Sequence, residues 1–483
     1  MKTIIYKTAL LTFIAFGGFM TAFGQQQPDS LMQYLEIAAK NNPVLLQKFS
    51  EYQAAMQKVP QVGSLPDPEL NVGVFLSPME LLSGNQMADI RLMQMFPWFG
   101  VLKNAKDEMS LMAKAKFESF RDAKLQVFYE VQSTWYSLYK IQQDIQISEK
   151  NIEILRTLER LTLVKFKAVS TGSSNASPTV GNMSNNNTQA SSSGTMGSNN
   201  MGGNTNNNQS NTNSQPSMAS TQSSMGSTSG GSGLADLYRI QIEIGELDNN
   251  ISLLKNQQST IVALFNSYLN RPVKTTVMLP DTLKPDSLGT SLLAVSDSML
   301  ANHPMLSMLQ YEQQSYDARK RMVSRMGYPM VGIGVNYSLI NKSDMSTSSM
   351  NGKDMIMPMV TVTLPIYRKK YKAMQTEADF MESATEQGYK AASNSLQTEY
   401  YEAMQLFQDA QRRIKLYENQ SRLAKQSLDI MIKSFSASGS GLTDILRIRQ
   451  QTLDYEFKQV EAMVDYNTSI AWLKRLMANS QIQ

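Results

Sequence analysis

The chain has 483 residues and a formal charge of +4, a balance that gives no ground for nucleic-acid binding. It contains no cysteine, which excludes disulfides, thiolate metal sites and lipidation of an N-terminal cysteine. One histidine, His303, leaves almost no room for histidine-based catalysis, and the 33 methionines are the compositional outlier.

Residues 1–24 read as a signal peptide. Lys2 and Lys7 form a basic start, Ala9 to Phe23 is apolar, and Ala22-Phe23-Gly24 suits cleavage. Beyond it no stretch approaches the roughly 18 apolar residues of a membrane helix. Membrane passage would therefore require a β-barrel. Residues 25–172 form a first repeat of helix, two strands and a long helix. Leu70, Val72, Val74 and Leu76 share one face opposite Asn71 and Gly73, which predicts a strand near 69–76, and a second follows near 88–96. Such alternation suits tilted membrane strands, and a soluble sandwich would use it as well. A helix is predicted from about 100 to 170. Phe117, Phe120, Lys124, Val127, Val131, Thr134, Leu138, Ile141, Ile145, Ser148, Ile152 and Leu155 keep 3–4 spacing along it. That period means left-handed coiled packing, and the rod would be on the order of 100 Å long.

Residues 173–230 are an insert of Ser, Asn, Gly, Thr and Gln with five methionines, no charge and no aromatic. Its composition predicts disorder. Residues 231–280 end the first repeat and connect it onward, with Leu237, Ile240, Ile244, Leu247, Ile251 and Leu254 at coiled-coil spacing. Residues 281–483 form the second repeat, with strands near 328–340 and 355–366 and a helix from 368 to 437. The duplication is explicit. Asn41-Asn42-Pro43 returns as Asn302-His303-Pro304, and the same offset of 261 aligns Pro68 with Pro329 and Gly73 with Gly334. Pro97 matches Pro365 at 268, and Gly233-Leu-Ala-Asp236 matches Gly441-Leu-Thr-Asp444 at 208, so the insert belongs to the first copy alone.

This duplicated order resembles the TolC-like outer-membrane efflux channels. So do the Asn-x-Pro near the start of each copy, the junctions Phe96-Pro-Trp-Phe-Gly100 and Leu364-Pro-Ile-Tyr-Arg368, and the Gly-Leu-x-Asp after each helical turn. The resemblance covers nearly all of the mature chain except the insert. It implies an α+β membrane protein: a homotrimer whose chains each give four strands to a transmembrane β-barrel, continued by a long periplasmic α-helical barrel. It also implies a passive exit duct in outer-membrane lipid, served by a periplasmic adaptor protein and an inner-membrane pump, with no enzymatic activity and no cofactor. The methionine content is similar to that of the copper and silver efflux branch. The alternatives are a type I secretion exit channel, an extended coiled-coil surface or adhesin protein, and a periplasmic metal-buffering protein.

Several residues stand out. Asp236 and Asp444 follow the two helical turns. Each suits a helix first turn by its dipole, and the resemblance implies a channel constriction of six carboxylates in a trimer. Arg239 and Arg447, one turn on, are expected to pair with them or with neighbouring helices. Trp98 and Phe99, with Tyr367 and Tyr371 in the second copy, suit a membrane interface or packing at a helix start. His303 is expected to cap a helix. Met183, Met196, Met201, Met218 and Met225 lie in the insert, where no core exists for them to fill, and Met345 and Met350 lie in a predicted loop between strands. Thioethers are soft ligands for Cu(I), so the insert is a candidate metal-capturing segment, against the alternative of neutral low-complexity expansion.

Overall fold

A computed structural model describes residues 31–81, 83–172, 232–289, 291–347, 349–438 and 441–478. The expected signal peptide and the insert, including Met183, Met196, Met201, Met218 and Met225, lie outside the described residues.

The first copy begins with α1 (Leu31–Asn41) and α2 (Pro43–Gly63). Asn42 separates them: its side chain accepts from the backbone N–H groups of Val44 and Leu45 while Pro43 opens the new helix. Strands β1 (Glu69–Leu81) and β2 (Gly84–Phe96) follow as an antiparallel hairpin. The hairpin is longer than the sequence pattern predicted. The pairing runs to Leu81 and Gly84, and Gly84 supplies the positive φ of 121° that closes it. Helix α3 (Val101–Gly172) has 72 residues, and α4 (Ser232–Tyr268) returns along it. Gln241 donates to Glu159 and Lys255 pairs with Glu149, which fixes the two as antiparallel.

The second copy repeats the order. It comprises α5 (Leu292–Asn302), α6 (Pro304–Met326), β3 (Met330–Asn341), β4 (Met355–Thr363), α7 (Arg368–Ser438) and α8 (Leu442–Leu476). Strand β4 stops at Thr363 rather than near 366, because Pro365 has no N–H to continue a ladder. The sheet order is β1-β2-β3-β4, antiparallel throughout, so β1 and β4 are its free edges within the chain.

The duplication reappears in the core. One cluster includes Tyr34, Ala38, Leu45, Phe128, Trp135, Phe265 and Leu269; another includes Val295, Met299, Leu306, Leu396, Ala403, Leu473 and Met477. These pair one to one at the three sequence offsets. Along α3 the predicted seam from Val127 to Leu155 is buried at every position, including Thr134 and the fully covered Ser148. The sequence did not announce a second apolar stripe that stays exposed: Tyr238, Ile242, Leu253 and Leu264 on α4, and Tyr401, Leu416, Leu423 and Ile430 on α7. No described helix is long and apolar enough to cross a membrane.

Candidate functional site

Cross-strand register assigns each sheet residue to a face, because directly opposed residues point the same way. Leu70, Val72 and Val74 oppose Leu92, Ile90 and Ala88. Those continue to Val335, Tyr337 and Leu339, and on to Pro358 and Ile356. Val331 and Ile333 oppose Val362 and Val360. This face is apolar across all four strands except at Gln94, opposite Ile333, whose amide donates to the Pro66 carbonyl. The other carries Glu69, Asn71 and Gly73; Asp89, Arg91, Met93 and Met95; Gly332, Gly334, Asn336 and Ser338; and Met355, Met357, Met359, Thr361 and Thr363.

On the inner strands the apolar face is the more exposed one. Val335 is 47% exposed and Leu92 52%, whereas Gly332, Gly334 and Ser338 on the polar face are buried; on the edge strands β1 and β4 both faces are open. No helix packs broadly on either face, so the sheet's own side chains cover the polar one. On the inner strands the apolar residues are thus the ones left uncovered. A soluble sandwich does the reverse; a membrane barrel shows this polarity.

Where strands become helices, Trp98 stacks on Tyr328 at 5.3 Å and 11° and touches Phe99 edge-on. A cleft lined by Pro97, Trp98, Tyr328, Leu364 and Tyr367 opens beside it. Trp98 is half-buried, while Phe99 and Tyr367 project with 85% and 83% exposure. Tyr371 lines the same cleft.

At the far end of the helices, Leu155, Leu158, Ile240, Leu428, Phe435, Leu442, Ile445 and Leu446 join the two hairpins in one cluster. Lys165 lies over the Phe435 ring at 3.8 Å and donates to its carbonyl oxygen. Gly441 turns into α8 with φ 87°. Asp444 sits in the first turn of α8, is exposed, and pairs with Arg447 at 2.8 Å. Asp236 does not occupy a first turn: α4 starts at Ser232, so the dipole argument applies to Asp444 alone. Arg239 reaches across to the Thr443 hydroxyl at 2.9 Å instead of holding Asp236. The two aspartates stand near one end of the bundle, one ion-paired and one without an ion pair among the described residues.

His303 is a helix cap. Its Nδ1 accepts from the Met305 N–H at 3.3 Å, and Nε2 is buried without a partner among the described residues. Burial, helped by Arg475, holds its pKa down at about 4, so the ring is neutral. Asp144, half-buried on α3, is pushed the other way to about 6, chiefly by desolvation. Met345 and Met350 are exposed in the β3–β4 connection, which Asn351 braces through bonds with Ser343 and Ser346. Among the described residues, no three His, Asp or Glu side chains group to hold a metal.

Solved structures share this arrangement. The open state of the Neisseria gonorrhoeae MtrE outer membrane channel superposes with a TM-score of 0.67 at 13% identity, covering 93% of this chain and 89% of that one. The chain has the fold of the outer-membrane channels. The Vibrio cholerae outer membrane protein VceC gives 0.66 at 11% identity over 93% of this chain and 96% of its own. CusC, described with its transmembrane channel formation, gives 0.67 at 12% identity over 95% of both chains. No protein-family model matches the sequence, and no curated protein matches it either.

Proposed function

We propose that this chain is one third of a passive outer-membrane conduit, an exit duct whose cargo is delivered by an inner-membrane pump through a periplasmic adaptor. The inverted polarity of the sheet carries the reading: an outward apolar face over strands of 9 to 13 residues suits a lipid-facing band. Helices α3 and α7, each about 100 Å long, extend the duct away from it.

The duplication supports assembly of several copies into a ring. Within the chain, α3 packs against α6 and α8, and β2 pairs with β3. The equivalent contacts for the second copy would set α7 against α2 and α4, and β4 against β1. Among the described residues no comparable packing of α7 on α2 or α4 occurs, and β1 and β4 are unpaired at their outer edges. The exposed stripes on α4 and α7 are the surfaces such contacts would cover. Heterologous contacts of this kind close into a ring when the rotation allows. Three copies would make a twelve-strand barrel, with Phe99 and Tyr367 at the membrane interface and Asp236 and Asp444 lining the constriction. Copper or silver ions are the proposed cargo, on the strength of the methionine content. Purified protein in planar bilayers tests the conduit: discrete ion conductance supports it, and electrically silent bilayers containing verified inserted protein reject it.

A further inference from the structure

The methionines that the ladder pairs lie on one face of the sheet. Met93 and Met95 on β2 and Met355, Met357 and Met359 on β4 all fall on the polar side, as Met-x-Met spacing in a strand requires. None of the paired residues on the apolar face is methionine. A thioether serving only as an apolar filler would be at least as welcome on the outward face.

Glycines on the intervening strand make room for the sulfurs. Gly334 lies directly opposite both Met93 and Met359. A Cβ built on Gly332 would stand 2.5 Å from the Met95 sulfur and 3.2 Å from the Met93 sulfur, so two thioethers already meet over that backbone. Met359 is the diagonal neighbour of Gly332. Glu69 lies directly opposite Met93, and Asp89 and Arg91 precede it along the same face.

We propose that Met93, Met95 and Met359 form an all-thioether site for a soft monovalent cation, Cu(I) or Ag(I), on the inward face of the sheet. Three neutral sulfurs satisfy a soft ion that prefers low coordination, and they offer little to hard divalent cations. Met357 and Met355 continue the track along β4. The site rests on the conduit reading for its place in a lumen, and it would give a soft-metal cargo a foothold inside the barrel, apart from the insert.

Metal protection of sulfur from oxidation tests the site in the full-length wild-type protein in detergent. The protein is treated with tert-butyl hydroperoxide with and without Ag(I), and methionine sulfoxide is located by peptide mass spectrometry. Silver is expected to slow oxidation of Met93, Met95 and Met359 at least tenfold and to leave Met345 and Met350 unchanged. In Gly332→Ala every thioether remains, but the added methyl occupies their meeting point, so protection should fall at least tenfold. Equal oxidation with and without silver at the three residues overturns the site, as does protection confined to the insert methionines. Bilayer conductance of the same preparation separates the two claims. Silver protection without conductance sinks the conduit and keeps the site; conductance without protection sinks the site alone.

Discussion

Replacing Val335 with arginine separates a lipid-facing sheet from a water-facing one. Val335 lies on β3, an inner strand, paired with Leu92 on one side and Pro358 on the other, and it is 47% exposed. If that face met water, an exposed substitution would change stability by about 0.5 kcal/mol or less. If it meets lipid near the midplane, arginine should cost about 2–4 kcal/mol. That is a shift of roughly 30- to 1,000-fold in the folding equilibrium. Met357 is the control. It is 46% exposed, close to Val335 along the strands, and on the opposite face, so Met357→Arg should cost under about 1 kcal/mol because lumen positions tolerate charge. Denaturant titrations of folding into phospholipid vesicles, read by tryptophan fluorescence, give both values. Equal effects of the two arginines, of whatever size, would refute the assignment of faces.

Three further outcomes are expected. Acid should destabilise the protein through His303. The unfolded ring takes a proton below about 6.5, whereas the folded ring stays neutral to about 4. Its contribution is therefore complete above pH 6.5 and lost progressively down to pH 4, a span of about 3 kcal/mol. His303→Asn, which copies Asn42, should flatten that part of the pH–stability curve; an unchanged curve would show that the ring titrates normally. Replacing Asp236 and Asp444 together with alanine should reduce cation selectivity or raise conductance in bilayers at low salt, and unchanged values would leave Asp444 as a helix-start residue paired with Arg447. Changing the five insert methionines to leucine should lower copper or silver tolerance of cells without disturbing assembly, and full tolerance would leave 173–230 as a spacer.

Much of the architecture could be read from residues alone. Asn42-Pro43 and His303-Pro304 mark helix starts because a polar cap and a following proline act locally. The α3 seam shows because helical period imposes 3–4 spacing, and it survives polar members such as Thr134 and Ser148. The faces of the sheet were not legible in the same way. Alternation is identical in a sandwich and in a barrel; only register and exposure tell which side is outward. The thioether cluster was missed for a related reason. Met357 and Met359 were visible as one side of β4, but Met93 and Met95 share that side two strands away, across Gly332 and Gly334, residues far away in sequence. The long β1–β2 hairpin was hidden by Ser83-Gly84-Asn85, which reads as a loop while it closes a continuing ladder. The exposed stripes on α4 and α7 largely keep intervals of 7 and 11 residues but are sparse, and they become meaningful once α3 is seen to use the matching contacts.

The absence of native cysteine allows a direct test of ring closure, since any introduced pair is the only pair. Cysteines placed at Val72 on β1 and Val360 on β4, both exposed on the outer face of opposite edge strands, should be oxidised in membranes, in a small panel that walks the β4 partner by two residues to match register. The account predicts that one register yields covalent dimers and then trimers, with nothing larger, while single-cysteine variants yield neither. Chains that stay monomeric across the panel, or an open ladder running past three, would contradict a closed barrel of three chains.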